Sequence, residues 1–331
     1  MKHILNRLFE HHTLSRAEAK EVLTKIAEGG NYNNSQVAAF LTVYLMRNIS
    51  VEELAGFREA MLELCIRVDL SDYNPIDLCG TGGDGKDTFN VSTLASFITA
   101  GAGVKVAKHG NYGVSSVSGS SNVIEYLGGK FTNDYDTIRR QMDQAGICFL
   151  HAPLFHPAMK NVGPIRRELG VKTFFNMLGP MVNPSFPPNQ MVGVFSLGLA
   201  RLYGYLYQKT DKSFSILHSL DGYDEISLTG DCKCLSNEGE LLFTPESLGM
   251  KKWRPEDLFG GDSVEAAAVI FKNVLENKGT EAQKQVVTAN AGVAIQTVNR
   301  DLSLEEAIAV AKESLESGKA LKALERFISV N

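Results

Sequence analysis

No apolar run in the 331-residue sequence approaches the length needed to cross a membrane, and no such run follows Met1–Arg7. A spanning segment and a secretory leader are therefore not expected. Cysteine is sparse: Cys65, Cys79, Cys148, Cys232 and Cys234 make an odd, scattered set. Cys232-Lys233-Cys234 lacks the two-residue spacer of zinc-binding pairs, so the expectation is reduced thiols in a cytoplasmic protein. Positive charge is not in excess either. The net charge is −5 and the basic residues form no block, which argues against nucleic acid or an anionic membrane as the main partner. Internal repeats and low-complexity segments are also lacking. No nucleophile elbow, zinc-protease helix or Ser-His-Asp set can be assembled.

What is present is an ordinary globular composition, 44% apolar and 21% charged, with length enough for two domains. The first 70 or so residues read as helix. Ser15-x-x-Glu18 and Ser50-x-x-Glu53 have capping-box spacing, and apolar stripes with helical period follow Ser15, Ser35 and Ser50. Beyond Asn74-Pro75 the pattern becomes alternating strands and helices, an α/β body. Strands are expected at Ile76–Cys79, Val104–Ala107, Ile147–His151, Gln190–Phe195 and Ser213–Leu220. Helices are expected at Leu94–Ala100, Val123–Leu127, Tyr135–Gln144, His156–Leu169, Leu199–Gln208, Val264–Leu275 and Leu304–Leu315. Val287–Gly292 reads as a small-residue stretch between the last two. The passage Asn176–Pro184 is too apolar for a floppy linker and reads as a buried connection. The fold class is thus α/β: a helical bundle domain over 1–72, with an excursion near 156–182 packing on it, and a larger domain over 73–331 with a central mixed sheet.

The chemistry concentrates in Ile76–Gly128. The first strand breaks into Gly80-Thr81-Gly82-Gly83-Asp84-Gly85, and Thr88-Phe89-Asn90-Val91-Ser92-Thr93 leads into a helix. Strand, glycine loop and helix start make an anion site, because bare amides and the helix terminus both favour negative charge. A second strand delivers Lys108-His109-Gly110-Asn111 into a loop rich in hydroxyls, including Ser115, Ser116, Ser118, Ser120 and Ser121. Two such loops in tandem point to a ligand with more than one phosphate, and Lys108 supplies a full positive charge for it. Asp224 and Glu225 follow a strand and a glycine turn. They read two ways, as ligands for a hard divalent cation such as magnesium or as a solvated acidic turn. Arg166 and Arg167 sit beside an apolar helix face, where an arginine could fork onto a carboxylate or simply face water. His151 and His156 flank Pro153 and are candidates to line a pocket. Phosphate loops and an acidic pair, without an acid–base dyad, suit displacement of a phosphorylated leaving group by positioning and charge stabilisation.

These stretches, with His156-Pro157-Ala158-Met159-Lys160, Arg166-Arg167-Glu168-Leu169-Gly170 and Phe175-Asn176-Met177-Leu178-Gly179-Pro180, resemble those of the anthranilate phosphoribosyltransferases of tryptophan biosynthesis, in order along the whole chain. The resemblance implies magnesium-dependent transfer of a phosphoribosyl group from phosphoribosyl pyrophosphate (PRPP) to the amine of anthranilate. It implies a PRPP site built from Gly80, Thr81, Gly82, Gly83, Asp84, Thr88, Asn90, Ser92, Thr93 and Lys108, to which the second loop adds Ser116 and Ser120. Anthranilate would be received by Gly80, His109, Asn111 and Arg166, and the metal by Ser92, Asp224 and Glu225. A homodimer through the helical domain is implied as well. The chain departs from the family pattern at Tyr112 and Lys172, where arginine is usual, at Val117, where lysine is usual, and at Asn122, where aspartate is usual. A pyrimidine nucleoside phosphorylase-like enzyme and a non-enzymatic nucleic-acid-binding relative are the rival expectations.

Overall fold

The structure is a computed structural model, and it describes residues 1–113 and 117–330. The chain folds into two compact units, Met1–Arg67 with Pro153–Pro184, and Val68–Ala152 with Ser185–Asn331.

The first unit is helical. Helix Arg16–Glu28 starts at Ser15 and helix Val51–Glu63 at Ser50, each closed by the capping box read from sequence. Helix Asn34–Met46 starts two residues earlier than a cap at Ser35 would place it. Its cap is Asn33, reciprocated by Gln36, and Ser35 lies inside the first turn. Gly56 lets two of these helices touch, since a Cβ there would stand 2.3 Å from the Arg16 carbonyl oxygen. An aromatic cluster fills the centre: Phe57 stacks on Phe174 at 4.5 Å, and Phe40 and Tyr44 pack edge-on against both. Buried Glu53 is held by the Leu14 and Ser50 amides, the Tyr44 hydroxyl and the Arg47 guanidinium. The returning segment belongs here too. Asn161 donates to the Ala27 carbonyl at 2.7 Å and Arg58 to the Met181 carbonyl at 3.2 Å. Asn176–Pro184 is thus part of the helical unit rather than a bare connection.

The second unit is built on a seven-stranded mixed sheet: β1 Ile76–Gly80, β2 Val106–Gly110, β3 Ile147–His151, β4 Asn189–Gly193, β5 Ser213–Ser219, β6 Cys232–Ser236 and β7 Gly239–Phe243. Their order is β3-β2-β1-β4-β5-β6-β7. The first five strands in that order run parallel, and β6 and β7 are antiparallel additions at one edge. The parallel strands are buried along almost their whole length because both their faces are covered. The β6–β7 hairpin is not legible in the sequence: β7 is largely exposed and its residues carry no alternating pattern. The stretch Val287–Gly292 is not a break between helices. It is the middle of helix Glu281–Val298, and its small residues allow close packing, with a Cβ on Gly292 standing 2.5 Å from Ile308. Among the described residues no helix is long and apolar enough to cross a membrane.

The chain lays down β1, β2 and β3 outward in one direction, then returns to place β4 on the other side of β1. Loops leaving the carboxyl ends of β1 and β4 therefore diverge, and such a reversal opens a crevice at the sheet edge. β1 and β4 stay in register to their last residues, Gly80 opposite Gly193. These two glycines form the floor of the crevice.

Candidate active site

Asp224 lies directly over that floor. A Cβ on Gly80 would meet the Asp224 carboxylate at 2.5 Å, and one on Gly193 would meet the Asp224 carbonyl oxygen at 1.4 Å. Neither position tolerates a side chain while the turn after β5 folds across the strand ends. The sequence alone marks Gly80 as a loop residue. It does not single out Gly193, because the partner of that glycine lies some thirty residues further on. The loop itself needs glycine for another reason: Gly82, Gly83 and Gly85 have φ of +63°, +78° and +74°.

The acidic pair is not a solvated turn. Asp224 is buried, and its Oδ2 accepts the Gly82 amide at 2.7 Å. Glu225 Oε1 accepts the Ser92 amide at 3.1 Å, in the first turn of helix Val91–Gly101. Two of the amides expected to face an anion are thus held by carboxylates of the chain itself. Burial, then repulsion from Asp84, pushes the Asp224 carboxyl up to about 7. Burial, Asp224 and Asp84 together hold Glu225 well above the usual carboxylate range. Asp84 Oδ2 is buried, with no hydrogen-bond partner among the described residues. Three carboxylates crowd one another here with Lys108 as the cation acting on Glu225.

That oxygen-rich, charge-deficient set fits a hard divalent cation. Among the described residues no three His, Cys, Asp or Glu side chains converge into a closed cage. Magnesium takes one or two carboxylates and completes its shell with water and substrate phosphates.

The remaining expected residues are distributed as follows. Thr81 donates its amide to the Gly193 carbonyl and accepts the Phe195 amide on its hydroxyl, locking the first loop to the end of β4. Thr88 bridges to Phe259, and Thr93 is buried in its helix. Asn90 donates to the Ser118 carbonyl at 3.0 Å and so ties the first loop to the second. Ser120 bonds the Asn111 backbone, and the Asn111 side chain accepts the Tyr112 amide at 2.8 Å. Ser116, like Ser115, lies outside the described residues.

Lys108 and His109 are not loop residues. β2 runs on through Gly110, which places Lys108 inside the sheet, where its Nζ donates to the Leu78 carbonyl at 2.6 Å. Burial lowers its pKa, opposed by Asp77. His151 is buried: its Nδ1 pairs with the Ser121 hydroxyl at 2.9 Å, and its ring stacks on Phe131 and meets the edge of Tyr112. The second loop is drawn together at its neck by Asn122, whose Oδ1 accepts the amides of Gly113 and Gly119. Arg166 belongs to the helical unit, on helix Met159–Leu169. It is half-buried, lies over the Phe175 ring and bonds Asn176, with no carboxylate partner among the described residues. Burial lowers its pKa. Arg167 beside it is exposed.

Comparison with known proteins agrees with this geometry. Residues 2–65 match the glycosyl transferase family helical bundle domain and residues 72–321 the glycosyl transferase family a/b domain. An anthranilate phosphoribosyltransferase of Christiangramia forsetii is 65% identical over 326 residues, 98% of each chain. The chain belongs to the anthranilate phosphoribosyltransferase family. Among solved members of the family, the Thermus thermophilus enzyme superposes with a TM-score of 0.91 at 32% identity, covering 98% of both chains. The Saccharomyces cerevisiae enzyme in complex with PRPP and Mg superposes at 0.89 with 28% identity, over 98% of this chain and 96% of that one. The molecule is thus a glycosyltransferase, and tryptophan biosynthesis is its setting.

Proposed function

We propose that this enzyme transfers the phosphoribosyl group of PRPP to the amine of anthranilate, giving phosphoribosyl-anthranilate and pyrophosphate, the second step from chorismate to tryptophan. The observation that carries the mechanism is the Asp84, Asp224 and Glu225 cluster at the carboxyl ends of β1 and β4, short of positive charge and next to two amide-bearing loops. Full-length identity of 65% to a relative of that activity supports the chemistry. Magnesium, when bound, neutralises negative charge on pyrophosphate as it departs.

The chain's own residues do the rest. Asp224 and Glu225 would hold the metal, with Ser92 beside them, and the Gly82 and Ser92 amides they now accept lie at the start of the loop and helix that face the phosphates. The first loop, from Gly80 through Asp84 with Thr88, Asn90 and Thr93, cradles the pyrophosphate. Lys108 places a buried positive charge behind the second loop, which contributes Ser120 and Ser116. Anthranilate recognition falls, by the family resemblance, to Arg166 for its carboxylate and to Gly80, His109 and Asn111. The bond from ribose C1′ to the pyrophosphate oxygen breaks, the bond from C1′ to the amine nitrogen forms, and the amine sheds one proton to solvent. The amine is neutral near pH 7, so no strong base is needed, in keeping with the absence of an acid–base dyad. At two positions where charged residues are usual in the family, Asn122 accepts the Gly113 and Gly119 amides and Tyr112 meets the His151 ring.

The proposed assembly is a cytoplasmic homodimer. It is supported by free thiols throughout and by exposed Phe9, Leu45 and Met46, the last 84% exposed, on the helical unit. Consumption of anthranilate with purified enzyme and PRPP, with magnesium and after chelation, tests the activity. Magnesium-independent turnover contradicts it. Sedimentation of a monomer at micromolar concentration contradicts the dimer.

A further inference from the structure

β1 and β2 are joined by backbone pairing at one position, Ile76 opposite Val106, whereas β1 with β4 and β2 with β3 pair over five positions each. In a parallel ladder the next pair would be Leu78 opposite Lys108, bonded in part through the His109 amide and the Leu78 carbonyl. At this seam both of those groups are bonded by side chains. The His109 amide donates to Asp77 Oδ1 at 3.0 Å, and the Leu78 carbonyl accepts from Lys108 Nζ at 2.6 Å. The other oxygen of Asp77 faces β4, where it accepts from Gln190 Nε2 at 3.3 Å. Gln190 in turn accepts the Tyr207 hydroxyl at 2.6 Å. One carboxylate, with no exposed surface, therefore spans three strands just below Gly80.

A carboxylate in the middle of a buried strand is costly unless paired and bonded, and an apolar residue with a continued ladder would serve stability as well. What Asp77 does instead is local. It fixes the last residues of β2 through a side chain, by accepting the His109 amide. Those residues launch the second loop, while β1 launches the first. We infer that Asp77 is a positioning residue for phosphoribosyl transfer: its hold on the His109 amide, in place of the backbone ladder, sets the second loop against the first. Asp77 touches no substrate. The inference rests on the reading given under Proposed function.

Three variants separate positioning from mere stability. Asp77→Val removes both acceptors at similar volume. Asp77→Asn keeps the Oδ1 acceptor, and the Gln190 amide can turn to meet the new donor. Tyr207→Phe breaks the same network at its far end, away from β2. The expected result for Asp77→Val is a rise of about tenfold or more in KM for PRPP with kcat changed by less than about threefold. Asp77→Asn should bring KM back to within about threefold of the parent, and Tyr207→Phe should lower Tm while leaving KM alone. If Asp77→Val and Tyr207→Phe lower Tm alike and neither moves KM, Asp77 is a buried structural acid and the inference is overturned. Should Asp77→Val not fold, amide exchange in the parent decides: the His109 amide must exchange as slowly as those of Leu78 and Val192. Exchange as fast as that of Asn111 overturns the inference. A parent enzyme inactive on anthranilate and PRPP would instead overturn the functional reading, and the exchange result would stand apart from it.

Discussion

Neutralising the acidic pair should make the protein more stable and the enzyme slower, a pairing of effects that few other substitutions would give. In Asp224→Asn with Glu225→Gln, an amide oxygen remains at each position to accept the Gly82 and Ser92 amides, so the loop geometry is kept. Two charges that repel each other and Asp84 are removed. The Asp224 carboxyl, ordinarily at 3.8, is raised to about 7 in the folded protein, so folding favours its protonated form. The sign follows from linkage: the penalty is absent below the unfolded pKa near 4 and grows as pH rises, reaching its full size above about 7. At about 1.4 kcal/mol per unit its ceiling is on the order of 4 kcal/mol. Thermal unfolding at pH 8 should therefore show a higher Tm for the double variant, and the gain should vanish near pH 4. Turnover should fall by about 10²–10³, the size of a lost preorganised electrostatic contact. Part of that loss should return at high magnesium if weakened metal binding is its cause. Circular dichroism melts across pH, with a magnesium titration of turnover for parent and variant, provide the test. A folded variant with the parent's turnover and magnesium midpoint would refute the metal site, and a lower Tm at pH 8 would refute the charge argument.

Arg166→Ala should raise KM for anthranilate and leave that for PRPP nearly unchanged; an equal rise in both means that its helix was merely disturbed. Lys108→Met keeps the buried volume and removes the charge. It should weaken PRPP binding by about 1.5–3 kcal/mol, roughly tenfold to a hundredfold, as calorimetry at fixed ionic strength would show. Undiminished affinity would remove Lys108 from the phosphate site. Gly193→Ala should abolish turnover, because the new Cβ would fall 1.4 Å from the Asp224 carbonyl oxygen and force the acidic turn away from the strand ends. An active, normally folded Gly193→Ala enzyme would show that this turn can be displaced without harm.

What is legible in the sequence is what is encoded locally. Capping boxes at Ser15 and Ser50, the glycine loop after Ile76–Cys79, and helix Val264–Leu275 all depend on residues within a turn or two of one another. What the sequence hides depends on contacts far apart in the chain. Lys108 reads as a loop cation because a charge after an apolar run ordinarily marks the end of a strand. Only the neighbouring strand, which offers the Leu78 carbonyl and Asp77, makes burial possible. Asp77 gives no signal for the same reason, being a lone acid in a four-residue apolar run. Gly193 becomes informative only once the turn bearing Asp224 is seen to lie on it. Asn33 is easily passed over as a cap because Ser35 stands closer to the apolar stripe, although Gln36 completes the box with Asn33. The acidic pair can be read either way until its burial is known.

The most direct measurement of the central claim is product analysis with purified enzyme, anthranilate and PRPP, following both anthranilate and pyrophosphate. The account predicts one pyrophosphate released for each anthranilate consumed, and loss of turnover on chelation of magnesium with recovery on its return. Turnover that persists without magnesium, or cleavage of a pyrimidine nucleoside by inorganic phosphate in place of this reaction, would contradict it.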